Sequence, residues 1–242
     1  SDILKYSAIV VDEAQDFGMR AFKLLRTLVD EGKNDLFIVG DAHQRIYGHK
    51  VVLGQCEINV RGRSKKLKLN YRTTDEIRKW AVALFNGENI DDLDEGTDSN
   101  RDYKSLYNGP KPEVKNFETF DEEVTYIHQY IENIKKTDNE SKICLVVRTQ
   151  KLVDVYSDYF SKSNMKTIKI SRNSKDDLSN TDVRIATMHR VKGLDFDHVI
   201  IASMNKGIVP LETMEKSDEE LINSENLQTE KSLVFVAATR AK

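Results

Sequence analysis

The run Ile9-Val10-Val11-Asp12-Glu13-Ala14-Gln15-Asp16 places two carboxylates directly after an apolar stretch. Ligands of open parallel sheets gather at the carboxyl ends of strands, so a strand ending at Val11 would aim Asp12 and Glu13 at a site. One hard oxygen ligand suits Mg²⁺, which keeps most of its waters, and the neighbouring acid can polarise an attacking water. A plain strand followed by a solvated turn would carry the same residues. Gly40-Asp41-Ala42-His43-Gln44-Arg45-Ile46-Tyr47 repeats the arrangement after a second apolar run. The neutral amide of Gln44 can bond a phosphate oxygen or the attacking water. Tyr47 and His49 can stack on bases, or Tyr47 can cap a core edge while His49 is an ordinary surface residue.

Arg72, in Lys68-Leu69-Asn70-Tyr71-Arg72-Thr73-Thr74, stands at a strand end just before a helix. Such an arginine can offset charge that develops in phosphoryl transfer, or simply form a structural salt bridge. A third strand-and-turn unit runs from Val183 through Thr187, His189 and Lys192-Gly193 to Asp195. Arg240 follows the apolar run Leu233-Val234-Phe235-Val236 near the end of the chain.

Short apolar runs alternating with amphipathic stretches are the mark of an α/β fold. Ala8–Val11 and Leu36–Val39 read as buried parallel strands, with a helix over Met19–Val29 between them. A short strand at Leu67–Asn70 leads to Thr73, a helix cap with Glu76 three residues on, and a helix to about Phe85. Residues 87–112 hold seven acids and two of the three prolines, and read as a mobile surface segment. Strands are expected at Val114–Phe117, Ile143–Val147, Thr167–Ile170, Val183–Ala186 and His198–Ala202. Helices are expected at Asp121–Lys135, Lys151–Ser161 and from Glu225 to the end. That last helix carries no stop signal, and the first strand begins within a few residues of Ser1, so the chain reads as a piece of a larger protein.

The 242 residues are 39% hydrophobic and 32% charged, with net charge −3. That composition excludes collagen-like, mucin-like and wholly disordered chains. No run of about 18 apolar residues exists to span a membrane, and the N-terminus has no export pattern. Two distant cysteines, Cys56 and Cys144, exclude a disulfide scaffold and a zinc ribbon and fit a reducing, cytoplasmic setting. The charge is unevenly spread. Residues 49–79 carry nine Lys or Arg against three acids, whereas 87–102 and 211–230 carry seven acids each. A basic stripe of this kind is either a solvated face or a groove that tracks phosphates.

Taken in order, DEAQD at 12–16, GDAHQRIY at 40–47, LNYRTT at 69–74, IATMHRVKGLDF at 185–196 and VFVAATRAK at 234–242 resemble the motifs of UvrD/Rep-type superfamily-one helicases. The motifs reach both ends of the chain and leave roughly residues 87–182 without a match. The resemblance implies a RecA-like P-loop NTPase fold, with parallel sheets flanked by helices. It implies the back end of a first motor domain at 1–64 and a second motor domain at 65–242, with ATP and Mg²⁺ as cofactors. Asp12 would hold Mg²⁺, with Glu13 beside it activating the hydrolytic water. Gln44 would report the γ-phosphate, and Arg72 and Arg240 would reach it. Gly193 would shape the nucleotide turn, and Asp195, where the family usually has Glu, would bond the ribose. Tyr47, His49, Thr187 and His189 would lie along the strand path.

A phosphate-cradling loop needs Gly-x4-Gly-Lys-Ser/Thr, and the one Gly-Lys pair, Gly32-Lys33, has Thr27 where the first glycine belongs and Asn34 after it. The expectation is therefore a fragment of an ATP-dependent 3′–5′ DNA helicase, inactive alone, acting on single-stranded DNA with RNA as an open alternative. It is expected to be a cytoplasmic monomer with no membrane partner. Two other readings are a degenerate module that only binds nucleic acid or a partner, and the motor of a helicase-nuclease.

Overall fold

The computed structural model describes residues 5–47, 50–86, 90–91, 97–98, 103–171, 180–212 and 220–242. The chain divides into two units. One takes in the residues up to Lys68 together with Phe85–Tyr103, and the other Leu69–Leu84 and Lys104–Lys242.

In the first unit, β1 (Ile9–Val11) and β2 (Leu36–Ile38) pair in parallel, with Val10 opposite Phe37, and are joined through α1 (Met19–Thr27). Side chains alternate along a strand, so Val11 faces a core shared with Ala14, Phe22, Leu53, Cys56 and Ile58. Val10 and Phe37 face the other way and are 73% and 65% exposed. This corrects the expectation that both strands are buried on two faces. Their apolar runs are long enough for double burial, but among the described residues α1 and the turn at Leu53–Cys56 cover one face of this pair.

The second unit opens with β3 (Leu69–Asn70) and α2 (Asp75–Ala83). Two further short strands, β4 (Ile90–Asp91) and β5 (Thr97–Asp98), pair antiparallel and fall in the first unit. Within the acidic stretch 87–112, residues 87–89, 92–96 and 99–102 lie outside the described residues. Residues 103–112 are anchored rather than loose. Here β6 (Lys104–Ser105) pairs in parallel with β3. The Ser105 amide donates to Asp75 Oδ1, the Asp75 amide to the Tyr107 carbonyl and the Gly109 amide to Glu76 Oε2. These contacts also move the start of α2. Thr74 is the N-cap, Thr73 Oγ1 accepts from Asn70 Nδ2, and Glu76 is engaged with Gly109 instead of closing a capping box.

The body of this unit is a four-stranded parallel sheet built from β7 (Ile143–Val147), β8 (Thr167–Lys169), β9 (Val183–Thr187) and β10 (His198–Ile201), in the order β10-β7-β9-β8. Helices α3 (Phe120–Thr137), α4 (Gln150–Lys162) and α5 (Glu220–Ala238) accompany it. Thr119 and Glu122 form a reciprocal capping box at the start of α3. Every residue of β7 is buried, as an all-apolar central parallel strand must be. Val124, Ile127 and Ile131 of α3 pack with Val153, Tyr156 and Phe160 of α4 and with β7 and β9 to make the core. Residues Val114–Phe117, expected as a strand, form none. The helix expected to run to the chain end stops at Ala238, because Phe196 draws the last residues into backbone pairing. The Phe196 amide donates to the Arg240 carbonyl and the Lys242 amide to the Phe196 carbonyl.

Candidate functional site: the strand ends of each unit

In the first unit the ladder between β1 and β2 continues one step past the strands. The Val39 amide donates to the Val11 carbonyl and the Ala14 amide to the Val39 carbonyl. These two bonds put Asp12 and Glu13 beside Gly40 and Asp41, at adjacent carboxyl ends. Asp12 is exposed, and its Oδ1 accepts from the Glu13 amide at 2.8 Å. Glu13 turns the chain with a left-handed backbone, φ 52° and ψ 39°, a conformation costing a non-glycine residue on the order of 1 kcal/mol.

Side chains then link the two strand ends. Gln15 Nε2 donates to Glu13 Oε2 at 2.6 Å, while Gln15 Oε1 accepts from the Asp41 amide at 3.0 Å. Gln44 Nε2 donates to Asp41 Oδ2 at 2.9 Å, and the amide and Nδ1 of His43 donate to Oδ1 at 3.0 and 3.1 Å. Partial burial works against the Asp41 carboxylate, but the His43 and Gln44 donors outweigh it and hold its pKa below the ordinary value. His43 is buried edge-on against the Phe85 ring. Tyr47, at the far end of this loop, is 45% exposed, and His49 lies outside the described residues. Among the described residues no three His, Cys, Asp or Glu side chains cluster around a common point. An exposed carboxylate at a strand end fits a Mg²⁺ ion that keeps most of its waters and takes one protein ligand.

In the second unit Arg72 and Asp195 meet, Nε to Oδ1 at 3.2 Å. Gly193, at φ 83°, makes the left-handed turn that carries the chain from Val191 to Leu194 and presents Asp195, a conformation open to glycine at no steric cost. Phe196 then binds the backbone of Arg240, so Asp195 and Arg240 stand on neighbouring strands of chain. Arg240 itself is buried, with Nε donating to the Val236 carbonyl and Nη2 to Thr239 Oγ1. Thr187 ends β9, and its carbonyl accepts from the Arg190 amide. His189 is half-buried. Burial first, then the nearby Arg148 cation, lower its pKa and favour the neutral ring.

Three further residues, Gln15 and Arg148 just past strand ends and Glu230 on α5, take part in the structure without a role that the sequence assigns. Gln15 was visible only as part of a motif. Arg148, just past β7, forms a buried bidentate pair with Glu230 of α5, with Nη2 to Oε1 at 2.5 Å and Nε to Oε2 at 2.9 Å. No local pattern joins two residues so far apart in the chain.

Residues 65–174 and 165–242 match the family model of the UvrD-like helicase C-terminal domain, and residues 4–52 that of the UvrD/REP helicase N-terminal domain. The chain is 25% identical over 221 residues to an ATP-dependent helicase/nuclease subunit of Lactobacillus helveticus, covering 86% of this chain and 17% of that protein. It is 38% identical over 60 residues to the ATP-dependent DNA helicase Rep of Buchnera aphidicola, covering 25% and 8%. A probable DNA helicase of Mycoplasma pneumoniae is 22% identical over 250 aligned positions, covering 97% and 42%. The C-terminal domain of a possible DNA helicase from Lactobacillus plantarum superposes with a TM-score of 0.48 at 15% identity, over 71% of this chain and 82% of that one. The chain thus spans less than half the length of these curated relatives. None of its described helices is long and apolar enough to cross a membrane. With family models covering both units in their motif order, the chain belongs to the UvrD/Rep-type helicase family.

Proposed function

We propose that this chain is part of an ATP-dependent DNA motor that moves 3′ to 5′ on single strands. The observation that carries the reading is the joining of Glu13 to Gln44, across two strand ends, through Gln15 and Asp41. A water-activating carboxylate and a phosphate-sensing amide must be held in fixed relation, because phosphoryl transfer is catalysed almost entirely by positioning and charge stabilisation.

In this reading Asp12 holds Mg²⁺, which when bound supplies charge neutralisation for the nucleotide phosphates. Glu13 takes the proton of the attacking water. Gln44 bonds a γ-phosphate oxygen, and Arg72 and Arg240 offset the charge that builds there. Gly193 and Asp195 bind the sugar side of the nucleotide. Tyr47, His49, Thr187 and His189 line the nucleic-acid path. The chain contains no Gly-x4-Gly-Lys-Ser/Thr sequence, and backbone amides of such a loop supply most of the grip on the β- and γ-phosphates. The chain by itself is therefore expected to be inactive.

The test uses the protein that contains this chain together with a phosphate-binding loop. Hydrolysis of ATP should rise when single-stranded DNA is added. Glu13→Gln should abolish turnover while leaving ATP binding intact. Absence of strand-stimulated hydrolysis in the unaltered protein, or full turnover in the Glu13→Gln variant, would overturn the reading.

A further inference from the structure

We propose that Gln15 is a positioning residue for ATP hydrolysis, holding the Glu13 carboxylate to the Asp41–Gln44 turn. The proposal rests on the motor reading above and adds to it a residue that does not itself touch the nucleotide.

Gln15 is 3% exposed, and a buried carboxamide must satisfy both of its ends. Here each end meets a different strand terminus. The NH2 group faces the Glu13 carboxylate, and the carbonyl oxygen faces the Asp41 amide. Chemistry fixes that orientation, because a flipped amide would set oxygen against carboxylate and NH2 against N–H. The bond to Glu13 is short at 2.6 Å, as expected for a donor facing an ionised acceptor.

The consequence for Glu13 is a carboxylate tethered on one side by Gln15. Its backbone is left-handed, a conformation that persists only where the surroundings over-determine it. Ties that supply that constraint include the Glu13 amide to Asp12 Oδ1, the Asp16 amide to the Glu13 carbonyl and Gln15 to the Glu13 carboxylate. Beyond Gln15 the connection continues through Asp41, whose carboxylate accepts from Gln44. Any turn of the Gln44 amide toward a phosphate oxygen takes a donor away from Asp41, and Asp41 is bonded directly to Gln15. The residue that senses phosphate and the residue that takes the water proton are therefore joined through the Gln15 side chain and through the backbone amide and carboxylate of Asp41.

The experiment again uses the protein that contains this chain with a phosphate-binding loop, saturated with single strands. Gln15→Glu has the same size and keeps an acceptor for the Asp41 amide, but sets a carboxylate against Glu13. Gln15→Met removes both bonds. Each is expected to lower kcat by about 100-fold, the cost of a misplaced reacting group, with the ATP dissociation constant within about 3-fold of the unaltered protein. Combined with Gln44→Ala, the loss should be no larger than that of the worse single variant, since the residues act as one unit.

A folded Gln15→Glu variant with kcat within about 3-fold of the unaltered protein would overturn the proposal. So would losses that multiply with those of Gln44→Ala, or loss of fold in both Gln15 variants, which would make Gln15 a core strut. The motor reading is tested separately, by strand-stimulated turnover and its loss in Glu13→Gln. Hydrogen exchange at the Asp41 amide of this chain reads the tether without any turnover. Faster exchange in Gln15→Met supports it, and unchanged exchange overturns it.

Discussion

Arg72 and Asp195 form an ion pair in the second unit, Nε to Oδ1 at 3.2 Å, with side chains 47% and 36% exposed. The contact lacks the angle of a hydrogen bond, and Oδ1 has no hydrogen-bond partner among the described residues. A half-exposed pair of this kind contributes about 0–1 kcal/mol. Asp195→Asn is therefore expected to shift the denaturation midpoint of this chain only slightly. In the loop-bearing protein the same change should weaken nucleotide binding, if Asp195 serves the ribose. A large stability loss in the denaturant melt would make Asp195 a structural residue instead.

The pair of Arg148 and Glu230 is of another kind, because both side chains are at most 7% exposed. Removing one partner strands the other charge in the interior, a cost of about 3–5 kcal/mol. Glu230→Ala should lower the stability of the second unit by that order. The double variant Arg148→Met with Glu230→Leu should recover most of the loss, because two apolar side chains of similar volume leave no charge to solvate. Chemical denaturation followed by the fluorescence of Trp80, the single tryptophan and a residue of that unit, reads both results. A single-variant loss under about 1 kcal/mol would mean that water reaches the pair.

The regular elements were legible where periodicity and cap chemistry agree. Thr119 with Glu122 before an amphipathic run, and the apolar run Ile143–Val147, each lead to the expected element. Legibility fails where distant chain decides. Thr73 and Glu76 have the spacing of a capping box, but Asn70 and Gly109 compete for them. Val10 and Phe37 look like core residues because residue type reports an apolar side chain and not what covers it. At the site, residue type and motif order brought out Asp12, Glu13 and Gln44. The ties of Gln15 to Asp41 and of Phe196 to Arg240 cross between elements, so no local pattern announces them.

Acid should destabilise the second unit through Asp75. Its Oδ2 pairs with Lys79 and its Oδ1 with Arg78, each at 2.7 Å. The Lys79 and Arg78 bonds hold its carboxyl far below the usual range. A folded-state pKa below the unfolded value of about 3.9 means that stability is fully present above that value and is lost as pH falls from it through the lower folded-state value. Stability followed by Trp80 should thus begin to drop below about pH 5 and keep dropping toward pH 2. Asp75→Asn should be less stable at pH 7 and show a flatter acid limb. An acid limb of unchanged slope in that variant would assign the effect to other carboxylates.

Residues 61–68 are exposed throughout and carry Arg61, Arg63, Lys65, Lys66 and Lys68. If these cations track phosphates, binding of a fluorescent oligothymidine to this chain should be weak and should fall steeply with salt. The logarithmic slope on single strands is about −0.7 per phosphate neutralised. Replacing Lys65, Lys66 and Lys68 by Ala should therefore flatten the slope by about 2. A slope that does not change would place the strand elsewhere on the molecule.

Arg240 raises a conflict between two roles. A charge-stabilising arginine must reach the phosphates, yet here its Nε is spent on the Val236 carbonyl and its side chain is buried. If it serves hydrolysis, it leaves that carbonyl when nucleotide binds, and the cost of the lost bond is about 1 kcal/mol. Stabilisation of the transition-state charge is worth several times more, about 10³-fold in kcat. Arg240→Ala in the loop-bearing protein should then lower kcat by about 10³-fold in the fraction that stays folded. Arg240→Lys should recover only part of the rate, because a point charge lacks the fork that meets two phosphate oxygens at once. If Arg240→Ala instead lowers the melting temperature and leaves kcat intact, Arg240 only ties off the last turn after α5.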